Sequence, residues 1–130
     1  MTDEIRKSQI DQFIVEQIDS VPHLEALLLL WNTRPKVWSA EQMAKSLYVR
    51  SEQAAKILEG LLQRNLILND SNLAERYTYG EGSDERNSLM QAVDSTYRKE
   101  LVRISSLIHS KASASVREFA RAFRFTREKD

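Results

Sequence analysis

Residues 38–67 read WSAEQMAKSLYVRSEQAAKILEGLLQRNLI and contain two helical patterns in quick succession. In the first, Ser39 precedes Gln42 at the spacing of a capping box, and small or apolar residues follow at intervals of three and four. The second begins at Ser51, a suitable N-cap. Its apolar side chains repeat at the same intervals: Ala54, Ile57, Leu58, Leu61 and Leu62. Two helices joined by so short a turn are typical of a helix-turn-helix.

The residues after this stretch predict a two-stranded wing. Leu66-Ile67-Leu68 is a short apolar run, and residues 76–79 (Arg-Tyr-Thr-Tyr) have high β-propensity. Between them, residues 69–72 (Asn-Asp-Ser-Asn) are typical turn formers. A hairpin in this place completes the order of a winged helix-turn-helix, which we place between about Trp38 and Tyr79, inside a core of residues 22–79.

Helical arms are predicted on both sides of this core. Residues 3–19 carry apolar side chains at helical spacing, and residues 84–110 contain neither proline nor glycine. The longer arm has a row of apolar side chains, the pattern expected when one helix packs along another. The row is Met90, Val93, Tyr97, Leu101, Ile104 and Ile108. The predicted fold is mainly α with a small two-stranded β wing, in a single domain of residues 1–130.

The stretch 38–67 resembles the corresponding segment of MarR-type bacterial winged-helix regulators. The matching pieces are Met43-Ala44 in the short helix, residues 49–51 (Val-Arg-Ser) at the turn, and residues 61–67, which lead into the wing. Asn65 stands where many relatives have glycine, and asparagine tolerates the left-handed backbone of a helix end. The resemblance implies a homodimer, joined through the two arms, that regulates transcription by binding double-stranded DNA at two half-sites. The lack of cysteine and of a signal peptide or membrane segment predicts that the protein is cytoplasmic.

In this interpretation the second helix of the motif enters the major groove. Gln53 has the donor and acceptor needed to pair with adenine, while Arg50 and Lys56 suit phosphates or a guanine edge. Arg76 would enter the adjacent minor groove from the wing. The complete set of predicted DNA-binding residues is Ser39, Arg50, Ser51, Gln53, Lys56 and Arg76.

The charge balance keeps a second interpretation open. Residues 37–79 carry five basic and five acidic side chains, whereas DNA-binding surfaces are usually basic. Glu52, Lys56 and Glu59 equally fit a solvated helix face with an intrahelical ion pair. The alternative function is therefore a protein–protein interaction module that binds partners through its wing face or its terminal helix.

The last part of the chain is basic and amphipathic. Residues 98–130 hold nine basic and four acidic side chains, and residues 115–125 predict a short helix. Its apolar side could cover the protein's own arms, bind a protein partner or lie on a membrane surface, and its cations could contact phosphates. The residues predicted for a partner are Arg117, Phe119, Arg121, Phe123 and Arg124.

Several function classes are disfavoured. The chain has no cysteine, and its two histidines, His23 and His109, are far apart, so no metal site or cofactor is expected. The sequence contains no phosphate-binding loop and no nucleophile with a nearby base, which predicts a protein without enzymatic activity. No apolar run is long enough for a membrane segment or a signal peptide.

Overall fold

The computed structural model describes residues 2–70 and 75–111. Within them the chain is mostly helical with a small antiparallel sheet, as predicted. The elements in chain order are α1 (Thr2–Gln17), α2 (Val21–Thr33), β1 (Trp38–Ser39), α3 (Ala40–Leu47), α4 (Ser51–Gln63), β2 (Leu68–Asn69), β3 (Arg76–Thr78), α5 (Asp84–Lys99) and α6 (residues 101–111).

Helix α2 lies at the centre of the core. The hydroxyl of Ser20 accepts a hydrogen bond from the backbone N–H of His23 at 3.4 Å, and Pro22 occupies the first turn, where its missing N–H costs no hydrogen bond. A helix that is apolar on most sides is expected to be buried. Accordingly, α2 packs against α3, α4 and α5. Its buried residues are Leu24, Ala26, Leu27, Leu28, Leu30 and Trp31.

The sheet has three strands in the order β1-β3-β2, all antiparallel. Strands β2 and β3 form the predicted wing, with Leu68 opposite Thr78. Strand β1, which precedes α3, was not predicted, because two residues are too few to show an alternating pattern. Its Trp38 lies opposite Tyr77, and both side chains are buried. The sheet therefore connects the wing directly to the start of the helix-turn-helix.

Helices α1 and α6 lie side by side and run parallel. Arg103 Nη1 of α6 donates to both carboxylate oxygens of Asp11 in α1 at 3.0 Å. Seven residues after Asp11 and eight residues after Arg103, Lys111 Nζ donates to the backbone oxygen of Ile18 at 3.2 Å. The two predicted arms thus pack on each other within one chain.

The prediction of one continuous helix over 84–110 is wrong, because the helix is broken at Glu100. The backbone of Glu100 has φ −126° and ψ 47°, outside the helical range. Arg103 Nε donates to Glu100 Oε1 at 2.9 Å while the same guanidinium holds Asp11. This tertiary contact stabilises a helix break at a position where the sequence has neither proline nor glycine.

The break also changes the predicted row of apolar residues. Ile104 is 1% exposed and Ile108 is buried too, so both belong to the core of a single chain. Leu101 is 51% exposed and its neighbour Val102 is 78% exposed. The row therefore mainly reflects packing within one chain, in which Ile104 has almost no exposed surface.

Candidate nucleic-acid interface

Helix α3 begins with a complete capping box at Ser39. The Ser39 hydroxyl accepts from the backbone N–H of Gln42 at 3.1 Å, and the Gln42 side-chain oxygen accepts from the backbone N–H of Ser39 at 3.0 Å. This confirms the predicted box, which satisfies two otherwise unpaired backbone donors. Met43 and Ala44 form the buried side of the helix.

The turn between α3 and α4 uses an unusual residue. Tyr48 ends α3 in the left-handed conformation, and the backbone N–H of Val49 donates to the oxygen of Ala44 at 3.1 Å. The predicted N-cap at Ser51 is wrong. Arg50 is the cap, since its carbonyl accepts the first helical bond, from Ala54 at 3.0 Å, and Ser51 already lies inside the helix. Arg50 makes no side-chain cap hydrogen bond.

The two sides of α4 differ in exposure. One side packs against α2 and α3. Its buried residues are Ala54, Ile57, Leu58 and Leu61. The other side consists of exposed polar residues: Ser51, Glu52, Gln53, Lys56 and Glu59. Three of the predicted DNA-binding residues therefore lie together on the open face of α4, directly after Arg50, which is also exposed.

The charges on this face are not neutralised by one another. In residues 2–70 and 75–111 neither Arg50 nor Lys56 takes part in an ion pair, and the predicted pairing of Lys56 with Glu52 or Glu59 does not form. The face is solvated, as that prediction also required. An unpaired cation on an open helix face is available to an external phosphate.

The wing brings two more predicted residues together. Ser39 lies opposite Arg76 in the pairing of β1 with β3. Acidic groups are close as well: burial raises the pKa of the Tyr77 phenol, and the nearby charges of Glu59 and Glu75 raise it further. The wing therefore adds one partly buried cation, Arg76, which follows the exposed Glu75 in the sequence.

Comparison with solved structures places this arrangement among known folds. The chain is similar to MepR, a transcription regulator of the Staphylococcus aureus multidrug efflux pump MepA, with a TM-score of 0.52 and 16% identity over 95% of this chain and 93% of that one. The multiple antibiotic-resistance repressor MarR of Listeria monocytogenes gives a TM-score of 0.49 and 13% identity over 97% and 87% of the two chains. This chain has a MarR-like winged-helix fold. No family model and no curated protein matches the sequence.

Tyr48, three residues before the start of α4, was not among the residues predicted for the interface. Its side chain is 93% exposed, next to the start of α4. The signal available in the sequence was the absence of glycine or asparagine where α3 must end, because a helix end of this kind usually needs one of them.

One of the two histidines, His23, lies next to the last turn of α4. His23 Nδ1 is 2.6 Å from the Ser20 hydroxyl, and its ring faces Gly60. Burial lowers the pKa of His23, while Asp19 raises it and Arg64 lowers it. Within the described ranges, no three His, Asp or Glu side chains are grouped so that they could hold a metal ion, and no helix is long and apolar enough to cross a membrane.

The predicted terminal helix over 115–125 lies outside the described residues. The five partner-binding residues proposed there stay predictions: Arg117, Phe119, Arg121, Phe123 and Arg124.

Proposed function

We propose that this protein is a DNA-binding transcription regulator in which the N-terminal half of α4 enters the major groove. One observation carries the proposal: the first two turns of α4 present an open polar face whose cation, Lys56, is unpaired among the described residues. The fold likeness to MepR, itself described as a transcription regulator, supports it.

The exposed residues have distinct proposed roles. Gln53 reads a base edge through its amide, because an amide can pair with adenine in two places at once. Arg50 and Lys56 bind phosphates and supply affinity that is independent of sequence. Ser51 adds a hydrogen bond at the helix start, and Arg76 approaches the minor groove beside the wing.

We also propose that the regulator is a homodimer joined through its arms. Ile5 is 62% exposed on α1, and Leu101 and Val102 are exposed at the start of α6. They lie toward the N-terminal ends of the parallel pair, because Arg103 near the start of α6 contacts Asp11 in α1. We propose that a second copy of the chain covers these apolar residues. A two-fold dimer would then place two copies of α4 at two half-sites about 34 Å apart.

The first test is binding of the purified protein to a labelled random duplex, measured by fluorescence anisotropy at 50 and 200 mM salt. We expect a dissociation constant of about 1–100 μM that weakens steeply with salt, because each phosphate neutralised releases counterions. Lys56→Ala should weaken binding to every sequence and lower the salt slope by about one. Lys99→Ala, at the end of α5, is the matched control and should change neither quantity.

Gln53→Ala distinguishes base reading from backbone contact. Once a preferred site has been selected from random sequences, this variant should lose about 1–3 kcal/mol of discrimination and keep its non-specific affinity. Equal losses for Gln53→Ala and Lys56→Ala on both kinds of DNA would contradict the assigned roles.

The alternative, a protein–protein interaction module, is favoured by one observation: residues 37–79 carry no net charge. The same titration separates the two functions. Absence of binding at 50 mM salt would contradict the regulator and support a module that binds proteins.

A further inference from the structure

The backbone of Tyr48 is held in a conformation that its side chain disfavours. Its φ of 58° and ψ of 43° lie in the left-handed region, which costs a bulky L-residue free energy that glycine does not lose. The other non-glycine residues with positive φ in the described ranges are Asn65 and Glu75. Asn65 closes α4 with a residue type that suits this conformation. Tyr48 closes α3 with one that does not.

The left-handed backbone closes α3, since the backbone N–H groups of Tyr48 and Val49 both donate to the oxygen of Ala44, but glycine would close the helix equally well. The ring of Tyr48 is 93% exposed, so it contributes almost nothing to the core. Among the described residues it has no aromatic partner, and its hydroxyl has no hydrogen-bond partner. A side chain that raises the cost of the backbone conformation and makes no contact among the described residues is typical of a residue whose partner lies outside the protein.

The surroundings of Tyr48 indicate the chemistry of that contact. Between Lys45 and Lys56 the chain has three basic residues and one acidic residue, a net charge of +2, although the whole winged helix is neutral. Lys45 lies one helical turn before Tyr48, and Arg50 lies two residues after it. Both are exposed, and neither forms an ion pair within residues 2–70 and 75–111. An exposed phenol that lies in the sequence between two unpaired cations is suited to bind a phosphate next to the phosphates that those cations would bind.

We propose that Tyr48 is a contact to the backbone of double-stranded DNA, at the edge of the groove that α4 enters. The phenol O–H donates to a phosphate oxygen between the phosphates bound by Lys45 and Arg50. Such a contact fixes the angle at which α4 enters the groove. This inference rests on the proposed function and adds to it an uncharged residue, Tyr48, which a count of basic side chains does not identify.

The test combines two variants with two measurements. Tyr48→Phe keeps the ring and the backbone but removes the donor, and it should weaken binding to a random duplex by about fivefold, the loss of one hydrogen bond. The salt slope should not change, because tyrosine releases no counterion. Tyr48→Gly should weaken binding by at least as much and raise the midpoint of thermal unfolding by roughly 2–5 °C, because glycine relieves the left-handed strain.

A purely structural role of Tyr48 would not produce opposite changes in stability and DNA affinity. If the fold needed this tyrosine, its removal would lower both. Asn65→Gly is the matched control: it replaces another left-handed helix-end residue, away from the turn, and should leave affinity unchanged. The proposal is overturned if wild-type protein binds DNA and Tyr48→Phe binds equally well. Failure of wild-type protein to bind at 50 mM salt would overturn the proposed function together with it, so the two failures are distinguishable.

Discussion

Ser39 and Arg76 face each other across the pair formed by β1 and β3, although they are far apart in the sequence. Ser39 is at once a strand residue and the N-cap of α3. The start of the helix-turn-helix and the base of the wing therefore share one point of attachment, and a charge placed there acts on both.

Substitutions of Ser39 should separate capping from electrostatics. Ser39→Ala removes the side-chain cap and should lower the free energy of unfolding by about 1 kcal/mol, measured by urea denaturation. Ser39→Asp and Ser39→Asn both keep a capping oxygen and should stay within a few tenths of a kcal/mol of wild type. Of these two, the aspartate variant should bind DNA more weakly, because its charge lies opposite Arg76. Equal affinities of the Asp and Asn variants would show that this edge of the sheet does not approach DNA.

The predicted dimer interface depends on which apolar residues are exposed to solvent in a single chain. Val102→Glu should give a folded monomer in sedimentation velocity, because Val102 is exposed in a single chain and would be covered by a second copy. Ile104→Glu should unfold the protein, as seen by circular dichroism, because it places a charge in the core. A wild-type monomer at micromolar concentration, or a Val102→Glu dimer as tight as wild type, would contradict the proposed interface.

The break between α5 and α6 should be sensitive to acid. The hydrogen bond from Arg103 lowers the pKa of Glu100 below its usual 4.5, partly offset by desolvation, and the charges of Arg103 and Lys7 lower it further. The unfolded carboxyl titrates near 4.5, so this stabilisation is complete above that pH and is lost as the pH falls through the lower folded pKa. Glu100→Gln should therefore lose less stability than wild type between pH 5 and pH 3 in thermal unfolding. An identical loss in both proteins would exclude Glu100 as a contributor.

His23 should give a second pH dependence, nearer neutrality. Burial lowers its pKa below 6.5, an effect that Asp19 opposes and Arg64 reinforces. In the unfolded chain the ring takes up its proton near pH 6.5, so the folded state loses stability as the pH falls below 6.5 towards the folded pKa. Urea unfolding at pH 7.5 and 5.5 should show a smaller difference for His23→Gln than for wild type. His109→Gln, a change at an exposed residue, is the control and should match wild type.

The sequence predicted those parts of the fold whose causes are local. The cap at Ser39 and the left-handed helix end at Asn65 each depend on a residue and its neighbours within one helical turn. The order of helices and wing follows from apolar periodicity in the same way. Ser51 was misplaced by one position, because its sequence signal as a cap does not separate it from the first helical residue.

What the sequence could not predict depends on distant partners. Strand β1 exists because Trp38 meets Tyr77, and the break at Glu100 is held by an arginine that also binds Asp11 in α1. At the candidate interface, the residue types of α4 indicated which side chains would be exposed. Tyr48 was not predicted, because the absence of glycine or asparagine at the end of α3 does not say which residue adopts the left-handed conformation or whether its side chain is exposed.

The parallel pairing of α1 with α6 fixes an order of events during synthesis. Asp11 meets Arg103 across a separation of 92 residues, so α1 leaves the ribosome long before its partner is made. Contacts within residues 38–79 span much shorter distances along the chain and close at a lower entropic cost. The helix-turn-helix and its wing should thus fold first, while the side of α1 that faces α6 stays exposed to solvent and accessible to chaperones until α6 emerges.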